Sequence, residues 1–298
     1  MEEASSTNHS NESTPLIEIS NGHSNSINTD FSDDQHPETS LDGSSFNFYH
    51  EVITLLHIAL PTVAVQFCTL FIYPQCASAV GRHLDTESLA AFSLGSLSGN
   101  MTCISIIIGT LTASETLQPR AFGLKQYREV GLLAIRGFFV CLVSLLLPVI
   151  LFLTRADSIY NALGQNAAAS QLASQWVQVY IFSVPPLLLF RVIQRYLACQ
   201  NIVMPCVFGA AIGSLLVHPF ILKWAVNHYG LIGSAWAVVA TQLVQVVLCI
   251  GFVVRTGSYE KATWPGLDMP LIWEAMQVRQ LISYAKLSIG GIFALSEW

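Results

Sequence analysis

The sequence predicts an all-α polytopic membrane protein, because long apolar runs recur along the chain and basic residues occupy alternate connections between them. Seven runs follow the first fifty residues, and each approaches the ~20 residues that a helix needs to cross ~30 Å of hydrocarbon. With 52% hydrophobic and 11% charged residues, too little charge remains to cover a water-facing surface. The runs are 53–79, 88–113, 131–153, 172–190, 202–224, 231–254 and 282–298.

The distribution of Lys and Arg predicts the orientation of these runs. Ten basic residues lie at the connections after runs two, four and six, against three on the other connections. Because positive side chains stay on the cytoplasmic side, the N-terminus and those three connections are expected to be cytoplasmic. The ten are Arg120, Lys125, Arg128, Arg136, Arg191, Arg195, Arg255, Lys261, Arg279 and Lys286, and the three are Arg82, Arg155 and Lys223.

Four regions are expected along the chain. Residues 1–50 contain nine acids and no Lys or Arg, a composition that predicts a disordered acidic cytoplasmic tail. Residues 51–255 hold six transmembrane helices, which form one lobe. Residues 256–280 form a cytoplasmic connection, with a possible amphipathic helix at 271–276. Residues 281–298 begin a seventh helix.

The last helix is expected to be incomplete. Trp298 lies twelve residues beyond Lys286, a helical length of only ~18 Å. We therefore expect the sequence to be a fragment or a truncated product of a longer protein.

Several function classes are excluded by missing motifs. The sequence contains no P-loop, GxSxG, HExxH or dinucleotide fingerprint, so neither an enzyme, ATP-driven pumping nor an organic cofactor is expected. The seven cysteines lie in or beside apolar runs without a Cys/His cluster, which predicts free thiols and no metal site. A basic nucleic-acid patch is also absent. An ion gradient is left as the power source for any uphill transport.

One carboxylate is the leading candidate for coupling to that gradient. Glu297 follows Lys286 by eleven residues within the seventh run, and an acid at such depth is costly unless it is protonated or paired. A group that gains and loses a proton there suits a proton or cation carrier.

Neutral polar residues and charges near the helix ends supply the other candidates. Gln66 and Asn100 lie nearest the middle of runs one and two and are expected to line a cavity. His218 precedes Pro219 and either lines the same cavity or satisfies the carbonyl that the proline frees. Glu115, with Arg120 nearby, is expected to form a cytoplasmic gate or a salt bridge that fixes the loop.

Short motifs along the chain follow one transporter family. Leu60-Pro61-Thr62 resembles its LPT sequence, and 115–127 is similar to D-T-L-x-x-Q-A-[FY]-G-x-x-[QN]-[FY], with Glu115 in place of Asp. Segments 195–205 and 230–235 resemble R-[FY]-L-x-x-Q-x-I-x-x-P and G-x-x-G-[SA]-A, and Glu297-Trp298 matches the start of E-W-W. From about Glu51 onward the sequence thus resembles the multidrug and toxic compound extrusion (MATE) transporters of the eukaryotic branch.

The resemblance implies a twelve-helix transporter of two six-helix lobes around a V-shaped cavity. Such proteins exchange H⁺ or Na⁺ for organic cations, xenobiotics or metabolites, and Glu297 matches their coupling glutamate in span seven. The expected partners are a small organic, cationic substrate, the coupling ion, the lipid bilayer, and either the missing second lobe or a second chain. The expected location is the plasma or the vacuolar membrane.

Two other readings remain open at this point. A truncated, non-transporting isoform would bind or mislocalise full-length partners. A lipid-linked substrate flippase of the same superfamily would need a strongly cationic cavity for pyrophosphate, whereas the buried charge expected from the sequence is acidic.

Overall fold

The described part of the chain is helical throughout. The computed structural model describes residues 48–257, 259, 261–264 and 273–296. The predicted tail up to residue 47, the segment 265–272 and Glu297 therefore lie outside the described residues. The α-helices are α1 (Phe48–Leu70), α2 (Ile72–His83), α3 (Thr86–Gly99), α4 (Ser105–Gly123), α5 (Tyr127–Ala162), α6 (Ala167–Tyr180), α7 (Val184–Ala198), α8 (Met204–Ala211), α9 (His218–Thr256) and α10 (Val278–Ser296).

Five helical stretches in the described residues are long and apolar enough to cross a membrane. Several consist of two helices joined without a loop, through π-helical turns at Asn100–Ile104 and Ile212–Val217 or a 3₁₀ turn at Ile181–Ser183. Their outer surfaces carry exposed Leu, Val, Ile and Phe side chains, as lipid contact requires. The stretches are Ala59–His83, Thr86–Gly123, Tyr127–Ala162, Ala167–Ala198 and Met204–Thr256.

The fifth stretch folds back on itself and so contains both the fifth and the sixth predicted runs. Gly230 interrupts α9 with φ 58° and ψ −136°, a conformation that essentially only glycine adopts. Residues on either side of Gly230 approach one another as the arms of an antiparallel hairpin. The approaching pairs are Gly209 with Gln245, His218 with Thr241, and Ala225 with Gly233.

Three of the turns between stretches, those after α4, α5 and α7, share one capping arrangement. At each, an N–H bonds the carbonyl five residues back while the preceding N–H bonds the carbonyl three residues back, the Schellman pattern. The residue in the left-handed conformation is Lys125 (φ 59°), Gly164 (φ 74°) or Asn201 (φ 59°). These caps satisfy the last carbonyls of α4, α5 and α7.

The second helical stretch extends beyond the end of the predicted run at residue 113. Helix α4 continues through Pro119 and ends at Gly123, where the Schellman cap at Lys125 closes it. The end of the fourth run is also wrong. Helix α7 continues to Ala198, so Arg191 belongs to the helix interior and not to a connection.

Helix α10 packs against α4 in the opposite direction. The Tyr284 hydroxyl is 2.6 Å from Ser114 Oγ, and Ser288 Oγ donates to the carbonyl of Thr110 at 3.0 Å. Gly291 makes the approach close, since a Cβ there would lie 1.9 Å from Thr112 Oγ1. The helix begins at Val278, three residues before the predicted start.

The connection before α10 is tied to α5. Glu274 accepts a hydrogen bond from Arg128 Nη2 at 2.6 Å, and Ala275 is buried against Leu132 and Ile135. Residues 273–275 form a single helical turn there, within the predicted amphipathic segment.

Replacing Gly233 with Ala should open the hairpin. The new Cβ would lie 2.0 Å from the Ala225 carbonyl oxygen, so the arms must separate, at a cost of about 1–3 kcal/mol in the free energy of unfolding. Gly251→Ala is the matched control, since nothing lies within 4 Å of its Cβ. Unfolding in mixed detergent micelles measures both. Equal stability of the two variants would contradict the hairpin.

Candidate functional site

The interior of the bundle is organised around two large aromatic side chains of α6. Trp176 and Tyr180 stack at 5.1 Å between ring centroids, and both are fully buried. They lie directly on Gly95 and Gly99 of α3, where a Cβ would approach their rings to 2.9 and 2.7 Å. The two glycines therefore let α3 and α6 approach closely.

This packing places the Tyr180 hydroxyl within hydrogen-bond distance of Asn100. Tyr180 donates to Asn100 Oδ1 at 3.2 Å, and the Tyr73 hydroxyl of α2 is 3.2 Å from that of Tyr180. Since the single hydroxyl hydrogen of Tyr180 is used on Asn100, Tyr73 is the donor in the second bond. Asn100 also begins the π-helical turn after α3, and such turns occur frequently at functional sites.

A buried guanidinium lies in the same interior. Arg191 is 3% exposed, and its Nη1 donates to Gln66 Oε1 at 2.5 Å and to Gln194 Oε1 at 3.1 Å. Its Nε has no protein partner. Arg191 is thus held by neutral amides, and no acidic residue of the described part forms an ion pair with it.

His218 is fully buried where α2 meets α9. Its Nδ1 is 2.7 Å from Thr241 Oγ1, and its Nε2 is 3.5 Å from Cys76 Sγ. The Thr241 hydroxyl hydrogen is used on the Ala237 carbonyl, so Nδ1–H donates and Nε2 accepts from the thiol. Both ring nitrogens are therefore occupied in the neutral form. The alternative expected from the sequence, a bond to the carbonyl freed by Pro219, is replaced by these two contacts.

The second π-helical turn carries a further polar contact. Gln75 Nε2 donates to the carbonyl of Ser214 at 3.0 Å, a carbonyl of the Ile212–Val217 turn. Gln75 Oε1 and both amide atoms of Gln245 are buried without a protein partner. The interior thus retains unused hydrogen-bonding capacity beside this second π-helical turn.

Glu115 forms an ion pair with a residue from another motif. Its Oε1 lies 2.5 Å from Arg195 Nη2, whereas its predicted neighbour Arg120 is exposed and lines a surface cleft. The pair links α4 to α7 near the ends of both helices. The role of Glu115 in a gate or in fixing the loop stays a prediction.

The acidic buried charge expected from the sequence, Glu297, is not tested by the described residues, whose own buried charges are basic. The buried charged side chains there are Arg136 and Arg191, because amides and a single carboxylate solvate them inside the protein. Glu297, the acid on which that expectation rested, lies outside the described residues. All seven cysteines are free thiols, and the described residues contain no cluster of three metal-ligating side chains.

The sequence reading missed Tyr73, Tyr180 and Arg191. The tyrosines carry no local signal of a polar role, and Arg191 falls in a predicted connection because the fourth predicted run ends at residue 190, eight residues before α7 ends at Ala198. If the fourth helix, at about 1.5 Å per residue, is extended to the turn at Asn201, Arg191 lies inside the span.

A multi-pass helical bundle with a buried polar interior and glycine-mediated helix contacts is an architecture that membrane transporters use. The sequence model of the family described as MatE matches residues 61–223. The chain belongs to this family, whose members are transporters and not enzymes.

Transporters from an animal and a plant are similar to this chain over most of its length. The chain is 26% identical over 255 residues to multidrug and toxin extrusion protein 1 of Danio rerio, covering 85% of this chain and 42% of that protein. It is 28% identical over 211 residues to protein DETOXIFICATION 8 of Arabidopsis thaliana, covering 68% and 42%. The chain thus spans about two-fifths of the length of these relatives.

Solved structures show the same fold. The crystal structure of the eukaryotic MATE transporter AtDTX14 matches with a TM-score of 0.74 at 21% identity, covering 82% of this chain and 53% of that one. A transporter of the MOP superfamily from Pyrococcus furiosus, whose binding pocket is described as of reverse polarity, matches with a TM-score of 0.67 at 15% identity, covering 80% and 52%.

Replacing Gln66 with Leu should destabilise the protein through Arg191. The substitution removes the 2.5 Å acceptor of a buried guanidinium, and losing a hydrogen bond to a buried charge costs about 1.5–3 kcal/mol. Gln175→Leu, the same change at an exposed position of α6, should cost less than ~0.5 kcal/mol. Detergent unfolding reports both values, and equal losses would mean that Gln66 does not solvate Arg191.

A double-mutant cycle should assign the partner of Glu115. Combining Glu115→Gln with Arg195→Gln should give a coupling energy of about 0.5–1 kcal/mol, the size found for partly exposed pairs. The matched cycle with Arg120→Gln should give about zero. Coupling to Arg120 in place of Arg195 would contradict the observed pair.

Proposed function

We propose that this chain supplies one lobe of a secondary antiporter that exports organic cations, xenobiotics or metabolites in exchange for H⁺ or Na⁺. The described bundle, with the fifth stretch counted as two helices, corresponds to six spans, and α10 corresponds to the start of the seventh. In a protein of this plan a second lobe, from the same or another chain, would complete a twelve-helix transporter.

The observation that carries the proposal is the fold match to about half of a eukaryotic MATE transporter, combined with family membership. The interior supports it in physical terms. Polar side chains in an apolar bundle are costly unless they are paired, and here they converge on two π-helical turns at mid-span. Transporters use irregular helical segments of this kind where substrate and ions bind.

The coupling group in the proposal is Glu297, which follows α10 directly. Protonation of this carboxylate would favour one of two conformations, and a substrate that binds the two protonation states differently would be released on the outer side. Gln66 and Asn100, both half-buried, are the candidates for lining the cavity. The ion pair of Glu115 with Arg195 would restrain the cytoplasmic end.

The proposed topology follows the distribution of basic residues. The turns after α4 and α7 and the connection before α10 would face the cytoplasm, together with the N-terminus. The host would be the plasma or the vacuolar membrane.

A second candidate is a transporter for anionic, lipid-linked substrates. The buried charges in the described residues, Arg136 and Arg191, are basic, which suits an anion better than a cation. The likeness to a transporter with a reversed pocket polarity shows only a similar fold. The support for an anionic substrate is the positive charge of Arg136 and Arg191.

Vesicles containing the 298-residue chain test these proposals under an imposed pH gradient. A fluorescent organic cation and an organic anion of similar size should be compared. Cation flux above that of empty vesicles, and lost by at least about tenfold in Glu297→Gln, is expected. Asp157→Asn, which neutralises an exposed carboxylate at the end of α5, is the control and should transport normally.

Other outcomes discriminate between the candidates. Anion flux without cation flux would favour the second candidate and contradict organic-cation export. No flux from inserted protein would mean that the chain does not transport by itself. Transport would then require a second lobe, or the chain would act as a non-transporting form.

A further inference from the structure

A cleft of about 940 Å³ opens between α4, α5 and α10 at the end where α5 and α10 begin. It shares Arg136 with the second candidate function and does not depend on the proposed export of organic cations. Its lining combines three arginines with one acid. The charged lining residues are Arg120, Arg136, Arg279 and Glu129.

The charges in the cleft do not cancel. Glu129 pairs with Arg136 through Nη1, which leaves the equivalent of two positive charges from Arg120 and Arg279. Arg136 is 5% exposed, and its Nε has no protein partner. A buried guanidinium donor without an acceptor in an electropositive cleft indicates a site for an oxyanion, since the guanidinium fork matches phosphate and carboxylate oxygens.

The cleft also reaches into the membrane-spanning region. Arg136 lies nine residues after the start of α5, which is ~14 Å along the helix axis. Leu117, Leu133 and Leu287 form apolar parts of the wall, while exposed Arg120 and Arg279 stand at the rim. A basic rim above apolar walls suits the binding of an amphiphilic molecule.

We propose that this cleft binds a phosphate monoester, carried by a lipid headgroup or free in solution. A phosphate monoester carries a charge of about −1.5 to −2 at neutral pH, which matches the two uncompensated positive charges. A phosphodiester headgroup carries one charge and matches less well. Anionic lipids attract basic groups at the membrane surface, so the cleft is open to headgroups from the adjoining leaflet.

Native mass spectrometry of the 298-residue chain in detergent tests the proposal. The probes are phosphatidic acid, phosphatidylglycerol and phosphatidylcholine, each titrated, and inorganic phosphate added as a competitor. Phosphatidic acid should bind at least about tenfold more tightly than phosphatidylglycerol, the ratio expected from one additional charge-assisted hydrogen bond.

Two charge-matched double variants locate the site. Arg120→Gln with Arg279→Gln removes both rim charges and should weaken binding of phosphatidic acid at least about tenfold. Arg255→Gln with Lys286→Gln makes the same change of charge at exposed positions outside the cleft and should change it less than about twofold. All four side chains are exposed, so the fold is expected to survive, as size-exclusion profiles would verify.

The remaining outcomes are decisive in either direction. If inorganic phosphate displaces the lipid at similar concentration, the monoester is recognised free in solution; if it does not, the lipid form is the ligand. Both results support the site. Equal losses in the two double variants, equal affinity for phosphatidylglycerol, or no binding of phosphatidic acid or inorganic phosphate would overturn it.

Discussion

The close packing of α6 on α3 is the constraint on which the interior depends. Trp176 and Tyr180 occupy space that any side chain at Gly95 or Gly99 would fill. The contact also sets hydrogen bonds, because Trp176 Nε1 donates to Ser234 Oγ at 2.9 Å and Tyr180 reaches Asn100. Without water in the hydrocarbon region, small residues are what allow helices to approach closely enough for such bonds. Two glycines thereby determine where the polar groups of four helical stretches meet.

The treatment of charge inside the bundle follows from the same absence of water. An isolated guanidinium in hydrocarbon must be solvated by protein, and Arg191 obtains this from the side-chain amides of Gln66 and Gln194. Amides stabilise the cation without cancelling its charge, whereas the carboxylate of Glu129 largely cancels that of Arg136. The bundle consequently keeps a positive charge in its interior, at Arg191.

The sequence was sufficient for the helical membrane class because hydropathy and Lys/Arg counts report directly on insertion. The sequence was insufficient to predict which side chains contact one another, because these contacts depend on the rotation of each helix about its axis. Each π-helical turn adds a residue to the helical repeat. The inward-facing positions before and after Asn100 therefore cannot be predicted with a single helical period. Arg191 shows a second reason: a charge was taken as the end of a span, although two glutamines make its burial tolerable. The pairing of Glu115 with Arg195 joins motifs eighty residues apart, which no local pattern reports.

Helix α5 has a mechanical consequence. Its 36 residues span ~54 Å, longer than the ~30 Å hydrocarbon thickness, so the ends of the helix extend beyond the hydrocarbon. A hydrophobic stretch longer than the hydrocarbon layer is accommodated by tilting or kinking of the helix or by local thickening of the bilayer. Because Arg128 near its start holds Glu274 and Arg136 lines the cleft, such a tilt moves the connection and one cleft wall together. Tilting of α5 would thereby link bilayer thickness to the geometry of this end of the protein, through leverage and independently of any ligand.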